Sequence, residues 1–190
     1  LAWVGFSVET GPDGGIYILD WHDQNICGTE IRFANSARVY RIMPKGVKGP
    51  EAFDLEKLSD VELVEMQAHS NDWYVRQSRA ILHHRTISGN LNKSSVHAKL
   101  KSMLTNAETV GKRLRALWAL HVTDGITQEH ALSLLDDSEE YIRAWTIQLL
   151  AEDKNPSGVV RSKFAEMAKS EKSPVVRHHL ASGLQRIQYD

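Results

Sequence analysis

The chain contains one cysteine, Cys27, among its 190 residues. A single cysteine cannot form a disulfide within the chain, and it cannot supply the paired cysteines of a zinc knuckle or of a covalently attached haem. No apolar run approaches the roughly 18 residues that a membrane-spanning helix needs. The sequence therefore predicts no internal disulfide, no cysteine-based metal or haem site and no membrane span in this stretch of chain.

The chain also lacks an excess of positive charge. Its 23 Lys and Arg residues face 24 Asp and Glu residues, which gives a formal net charge of −1. Proteins that bind nucleic acid through its phosphates usually carry a clear basic surplus. We therefore expect no nucleic-acid partner, and the partners that remain are other proteins or neighbouring domains of the same polypeptide.

The first 50 residues carry the signals of β-structure. A cluster of turn-forming residues from Gly11 to Gly15 precedes the β-rich run from Ile16 to Leu19, which predicts two strands joined by a tight turn. The alternating run from Arg38 to Ile42 predicts a third strand, and Pro44 ends it. Because so small a sheet has free edges, we expect neighbouring elements to cover it in a longer protein.

The Gly- and Pro-rich segment from Pro44 to Pro50 predicts a boundary between β-rich residues 1–50 and helical residues 51–190. Beyond it, apolar residues recur with helical spacing in four successive pairs of helices. The predicted starts of the first helices lie near Ser59, Ser94, Thr127 and Asn155. The predicted starts of the second helices lie near Asp72, Asn106, Asp137 and Ser173. Capping-box spacings and N-cap residues before proline carry these assignments.

An arginine recurs at one position of the second helices. These residues are Arg76, Arg113, Arg143 and Arg177, at intervals of 37, 30 and 34 residues. Such intervals are typical of solenoids built from helix pairs. An aliphatic residue followed by this arginine resembles the second helix of HEAT-type repeats, although Lys112 replaces the aliphatic residue in the second pair. The predicted fold is mainly α, a HEAT-like α-α superhelix of about four helix pairs with a small N-terminal antiparallel β segment.

In HEAT-like arrays the arginine reaches a polar group in the turn of a neighbouring repeat, which implies a structural ladder in this chain. The implied acceptors are Asn71 or Asp72, Asn106, Asp137 and Glu171. The alternative is that the same arginines bind an anionic partner. We favour the ladder, because equivalent residues in every repeat suit a shared structural task.

Tryptophans and histidines allow two interpretations each. Trp73, Trp118 and Trp145 fall in successive second helices, where core packing is favoured over base stacking because no basic groove is predicted. The adjacent pairs His83-His84 and His178-His179 point about 100° apart on a helix, so neither pair can clamp a metal ion alone. We therefore predict no metal site in the repeats.

The run GPDGGIYILDWHDQNICG, from Gly11 to Gly28, resembles the closing blade of a membrane-bound dehydrogenase family of planctomycetes and their relatives. The later runs RLRALWALHVTDGIT and EEYIRAWTIQLL also resemble that family. The resemblance implies the end of a sugar- or sorbosone-dehydrogenase-like β-propeller followed by HEAT-like repeats. It further implies an exported, periplasmic parent that uses pyrroloquinoline quinone and Ca²⁺ and carries haem c elsewhere. The chain itself shows no targeting signal, and we expect it to be a piece of that longer protein.

Asp20, His22 and Asp23 form the one chemically suggestive cluster in the sequence. At the exit of a strand, two carboxylates and an imidazole suit a hard cation or a proton shuttle. The alternative, which we favour, is that the carboxylates cap loop amides while the imidazole bonds locally. We expect a non-catalytic scaffold or protein-interaction module that holds no cofactor. The competing prediction is that these three residues contribute to a quinone-dependent sugar-oxidising site in the parent.

Overall fold

The computed structural model describes residues 5–21, 35 and 37–187. Within them the chain forms a small sheet followed by α-helices, so the prediction of a mainly α protein with an N-terminal antiparallel β segment is confirmed. The strands are β1 (Gly5–Thr10), β2 (Ile16–Asp20) and β3 (Arg38–Ile42). The helices are α1 (Asp60–Glu65), α2 (Asp72–Ile87), α3 (Lys93–Asn106), α4 (Val110–Val122), α5 (Gln128–Leu134), α6 (Glu140–Leu150), α7 (Gly158–Ser170) and α8 (Pro174–Arg186). None of these helices is both long enough and apolar enough to cross a membrane.

The sheet is an antiparallel meander in the order β1-β2-β3. Its first turn needs Gly14, whose φ of 74° lies in the left-handed region. The carboxylate of Asp13 accepts hydrogen bonds from the Gly15 N–H at 2.8 Å and the Tyr17 hydroxyl at 2.9 Å. Arg41 of β3 places Nη2 2.5 Å from the same carboxylate. One aspartate therefore connects the turn to both β2 and β3.

Large apolar side chains of the sheet remain exposed. Phe6, Val8 and Val39 each keep more than 60% of their surface accessible. A three-stranded sheet has little surface with which to cover its own side chains. The sheet therefore depends on contacts with the helical region, and it leaves an apolar surface free for a further layer.

The helices form four antiparallel pairs in two layers. The first helices α1, α3, α5 and α7 each pack against the second helix that follows them. The second helices α2, α4, α6 and α8 contact one another in that order, and we call them the second-helix layer. Because neighbouring second helices contact each other, apolar surface that one pair cannot bury is buried between pairs.

Several helix starts agree with the sequence. Ser59 and Glu62 form the predicted capping box of α1, Thr127 caps α5, and Ser173 caps α8 with Pro174 at the first helical position. These residues pair a side-chain acceptor with an otherwise unsatisfied N–H group in the first turn, which is a purely local arrangement.

Other predicted starts were wrong by a few residues. Helix α3 continues through Asn106, and the N-cap of α4 is Thr109, whose hydroxyl accepts from the Lys112 N–H. The N-cap of α7 is Ser157, two residues after Asn155. Helix α2 does begin at Asp72, as predicted, and Asn71 is its N-cap. Each of these turns contains several residues able to cap, so the packing of the flanking helices decided which one does.

Two clusters of buried side chains form the core. The larger extends over α1 to α6 and includes Leu63 and Leu117, while the smaller extends over α6 to α8 and includes Leu180. A hollow of about 570 Å³ lies where they meet, lined by Leu117 of the larger cluster and Val160 of the smaller one. Each cluster thus joins neighbouring helix pairs, but neither cluster includes all four pairs.

The sheet contacts the helical region at the start of α2. The Asn71 side-chain amide donates to the Gly11 carbonyl at 2.9 Å, and Arg76 Nη2 lies 3.0 Å from Glu9 Oε2. Trp73 and Tyr17 line the same hollow between the sheet and α2. Trp73, which with Tyr74 was predicted to cover the β segment, therefore faces the hollow beside the sheet.

Replacing Trp73 with Ala is expected to loosen the sheet from α2, because the substitution empties the apolar side of this junction. Limited trypsin digestion should then cleave after Lys45 or Lys48 several-fold faster, while the helical circular-dichroism signal is retained. Tyr141→Ala is the matched control, since Tyr141 occupies the same second position of α6 and is exposed. Equal cleavage rates in the parent chain and the Trp73 variant would show that Trp73 does not hold the sheet against α2.

Candidate functional site

Two arginines of the predicted ladder each bridge to the turn of the next pair. Arg113 Nη2 lies 2.5 Å from Asp137 Oδ2, and its Nε donates to the Leu104 carbonyl at 2.7 Å. Arg143 forms a two-bonded pair with Glu171, in which Nε and Nη2 each donate to one carboxylate oxygen at 3.1 Å. Both pairs are largely shielded from water, with side chains 11% to 18% exposed.

These two bridges form one continuous chain of hydrogen bonds. Arg143 Nη1 also donates to the Asp137 carbonyl at 2.8 Å, which joins the first bridge to the second. At the far end, Glu171 Oε1 accepts from the Ser173 N–H at 2.8 Å, at the start of α8. Burial by itself would raise the pKa of Glu171, but hydrogen bonds from Arg143 and from backbone N–H groups outweigh it and hold the pKa below its ordinary value.

The other predicted ladder residues have different contacts. Arg76 pairs with Glu9 of the sheet and with Asp72 of its own helix, and not with Asn106 of the following turn. Asn71 caps α2 and bonds to the sheet, so it accepts from no arginine among the described residues. Arg177 is exposed and has no ion pair in the described part of the chain. The ladder therefore spans the last three pairs.

A different arginine, Arg85, binds Asp60 within the first pair, and Asp60 links that pair to the second. Arg85 Nη1 lies 2.7 Å from Asp60 Oδ1, and its Nη2 donates to the Leu58 carbonyl at 2.9 Å. The second oxygen of Asp60 accepts from the Asn92 N–H, just before α3. The sequence signalled this link only weakly, through an arginine in the last turn of α2 and an aspartate in the first turn of α1.

A cluster of cationic and aromatic side chains lies on the second-helix layer. The guanidinium carbon of Arg79 sits 5.3 Å from the ring centroid of Trp118. Trp118 in turn contacts Trp145 edge to face, with ring centroids 4.8 Å apart. Arg79 and Trp118 are half-buried. We call Arg79, Trp118 and Trp145 the Arg–Trp cluster, and it joins α2, α4 and α6.

Two further arginines flank this cluster, and both are paired. Arg76 Nε and Arg115 Nη2 bind opposite oxygens of Asp72, at 3.3 Å and 3.2 Å. Arg115 also donates to the His69 carbonyl at 3.0 Å. Burial lowers the pKa of Arg79, and the charges of Arg115 and Arg76 lower it further, while Asp72 opposes them. The cluster therefore holds a guanidinium in an environment unfavourable to its charge.

Arg79 and Arg115 were not singled out by the sequence analysis. The signal that could have found Arg79 is its spacing, because residues three apart on a helix share a side, and Arg79 follows Arg76 by three. Arg115 and Trp118 have the same spacing on α4. Trp118 and Trp145 were predicted to pack in the core; both pack against the larger core cluster, and each keeps part of its ring exposed between neighbouring second helices.

The predicted cluster at the end of β2 is described in part. Asp20 is the last residue of β2, fully buried and opposite Arg38 in the strand register. His22 and Asp23 lie outside the described residues. Over the ranges that the structure covers, no three His, Cys, Asp or Glu side chains are grouped so as to hold a metal ion.

Comparison of the chain with protein-family models, with curated proteins and with solved structures found no match.

Replacing Arg143 with Ala is expected to destabilise the chain by about 3 kcal/mol, because it leaves the shielded Glu171 carboxylate without its charged partner. Urea unfolding at neutral pH measures this loss. Lys112→Ala serves as the control, since its pair with Glu108 is exposed and should contribute at most about 1 kcal/mol. A loss at Arg143 no larger than at Lys112 would show that the ladder stabilises nothing.

The contribution of Glu171 should depend on pH. Because its pKa in the folded chain lies below the ordinary value of 4.5, ionised Glu171 stabilises the fold above that value, and this contribution disappears as pH falls through the folded-state pKa. The stability difference between the parent chain and Glu171→Gln should therefore be largest near about pH 7 and shrink towards about pH 3. A difference that stays constant over this range would rule out the ionised pair as its source.

Proposed function

We propose that this chain is a non-catalytic HEAT-like scaffold that binds a protein partner through the second-helix layer. The observation that carries this proposal is the Arg–Trp cluster, in which side chains from three successive helix pairs meet on one surface. Arginine and tryptophan are the residue types most enriched at the energetic centres of protein interfaces. A surface assembled from three pairs exists only while the pairs stay stacked.

The ladder supports the scaffold part of the proposal. Arg113 and Arg143 connect the second, third and fourth pairs through shielded, charge-assisted hydrogen bonds. Such bonds have strict geometry, so they hold the angle between neighbouring pairs. A fixed angle keeps the spacing of Arg79, Trp118 and Trp145 constant, which lowers the entropic cost of binding a partner.

We also propose that the chain is the C-terminal part of an exported dehydrogenase-like protein, as its resemblance to the planctomycete family implies. The exposed apolar side chains of the sheet, such as Val8 and Val39, support a neighbouring domain of the same polypeptide that covers them. The three-stranded antiparallel meander is compatible with the end of a propeller blade. The contribution of Asp20, His22 and Asp23 to a quinone-dependent site of that parent stays a prediction.

Site-specific photo-crosslinking tests which layer meets the partner. A benzophenone amino acid at Tyr141, exposed on α6 of the second-helix layer, should give a discrete protein adduct in cells that produce the full-length protein. The matched position is Val159, exposed on α7 of the other layer, which should give none. Adducts from both positions or from Val159 alone, or from neither, would count against the second-helix layer as the binding surface.

A further inference from the structure

Arg79 is the one member of its arginine group without a charged partner in the described part of the chain. Its neighbours Arg76 and Arg115 share the two oxygens of Asp72, and Arg76 also pairs with Glu9. The Arg79 guanidinium forms no hydrogen bond to a described residue, and it lies over the Trp118 ring. A half-buried guanidinium normally makes several hydrogen bonds, so Arg79 has unused donors.

The charges around Arg79 leave a defined imbalance. Three guanidinium groups, those of Arg76, Arg79 and Arg115, meet two carboxylates, those of Asp72 and Glu9. The surplus is one positive charge, carried by the residue that has donors to spare. The indole N–H of Trp118 is also buried without an acceptor among the described residues. That N–H group is out of a ligand's reach, whereas the partly exposed Arg79 guanidinium can bind a ligand that supplies acceptors.

We propose that Arg79 binds a carboxylate side chain of an acidic peptide segment in a partner protein. This inference rests on the proposed scaffold function and names the chemistry of its partner. A carboxylate carries one negative charge and two coplanar oxygens, which match one free guanidinium edge in a two-bonded pair. The single surplus charge suits a carboxylate better than a phosphate dianion or a nucleic-acid backbone, which needs a track of free cations.

The tryptophan rings add a preference for the residue beside the carboxylate. The Trp118 ring lies beneath the guanidinium carbon of Arg79, and a cation held over a ring face can still donate from its N–H groups to a carboxylate. Trp145 extends the aromatic surface by one helix. An apolar side chain next to the bound Glu or Asp would cover these half-exposed rings. The preferred segment therefore alternates acidic and apolar residues.

The test is an NMR titration of the full chain with a capped pentapeptide of alternating Glu and Leu residues. Saturable shifts of the Arg79 Nε–H and Trp118 indole N–H signals are expected. The matching peptide with Gln in place of Glu should bind at least about tenfold more weakly, because it cannot form the charge-assisted pair. Since this comparison uses the unmodified chain, it does not depend on the folding of any variant.

Arg79→Lys should lower the affinity for the Glu peptide by about tenfold, because lysine keeps the charge but loses the planar, two-donor edge. Arg161→Lys is the matched control, since Arg161 is exposed on α7 of the other layer, and it should change nothing. Equal binding of the Glu and Gln peptides, or no effect of Arg79→Lys, would overturn the proposal. Tighter binding of inorganic phosphate or a short DNA duplex at the same signals would also overturn it.

The peptide titration and the cross-linking experiment fail in different ways. Adducts at Tyr141 without peptide binding at Arg79 would leave the scaffold function standing and remove the acidic segment as its partner. Peptide binding without adducts at Tyr141 would establish a carboxylate site and remove the protein partner at this layer.

Discussion

The hydrogen-bond chain from the Leu104 carbonyl through Arg113, Asp137, Arg143 and Glu171 is the interaction on which the arrangement of the last three helix pairs depends. Apolar packing between helices tolerates sliding and rotation, since it has little directional preference. A shielded guanidinium that binds a carboxylate through two parallel bonds tolerates neither. The core supplies most of the stability, and the ladder selects one stacking geometry.

The first pair is connected by other means, and this difference matters for function. Arg85 and Asp60 link it to the second pair on one side, while Arg115 and Asp72 link it on the other. Arg76, at the ladder position of the first pair, binds Glu9 of the sheet instead of a residue in the turn of the second pair. The first pair thus serves as an adaptor between the β segment and the array, and the arginines gathered there surround the Arg–Trp cluster.

The Arg–Trp cluster illustrates how a surface can be prepared for a ligand at the expense of local stability. Asp72 pairs with Arg76 and Arg115 through its two oxygens, and it forms no ion pair with Arg79 in the described structure. Stacking on Trp118 compensates part of the lost hydration, since an arginine above an indole ring gains roughly 0.5–2 kcal/mol. The Arg79 donors that no described residue binds remain accessible, so an anion can form charge-assisted hydrogen bonds with them.

The sequence alone determined the turns, strands and helix starts that depend on interactions between neighbouring residues. The turn at Gly14, the strand from Arg38 to Ile42, the capping box at Ser59 and the proline start at Pro174 each depend on residues within a few positions of one another. The helical period and the recurring arginine likewise predicted four helix pairs. Asp137 and Glu171 could be named as acceptors because each precedes the next second helix by a few residues.

Only the tertiary structure decided which residues far apart in the sequence contact each other. Arg76 contacts Glu9, which is 67 residues away, and Arg79 meets Trp118 on another helix. Trp118 and Trp145 pack against the larger core cluster, as predicted, but only the structure shows that they are partly exposed and contact each other between α4 and α6. Asp72 pairs with two of the three nearby arginines. Which arginine it leaves without an ion pair depends on the position of every neighbouring charge in three dimensions.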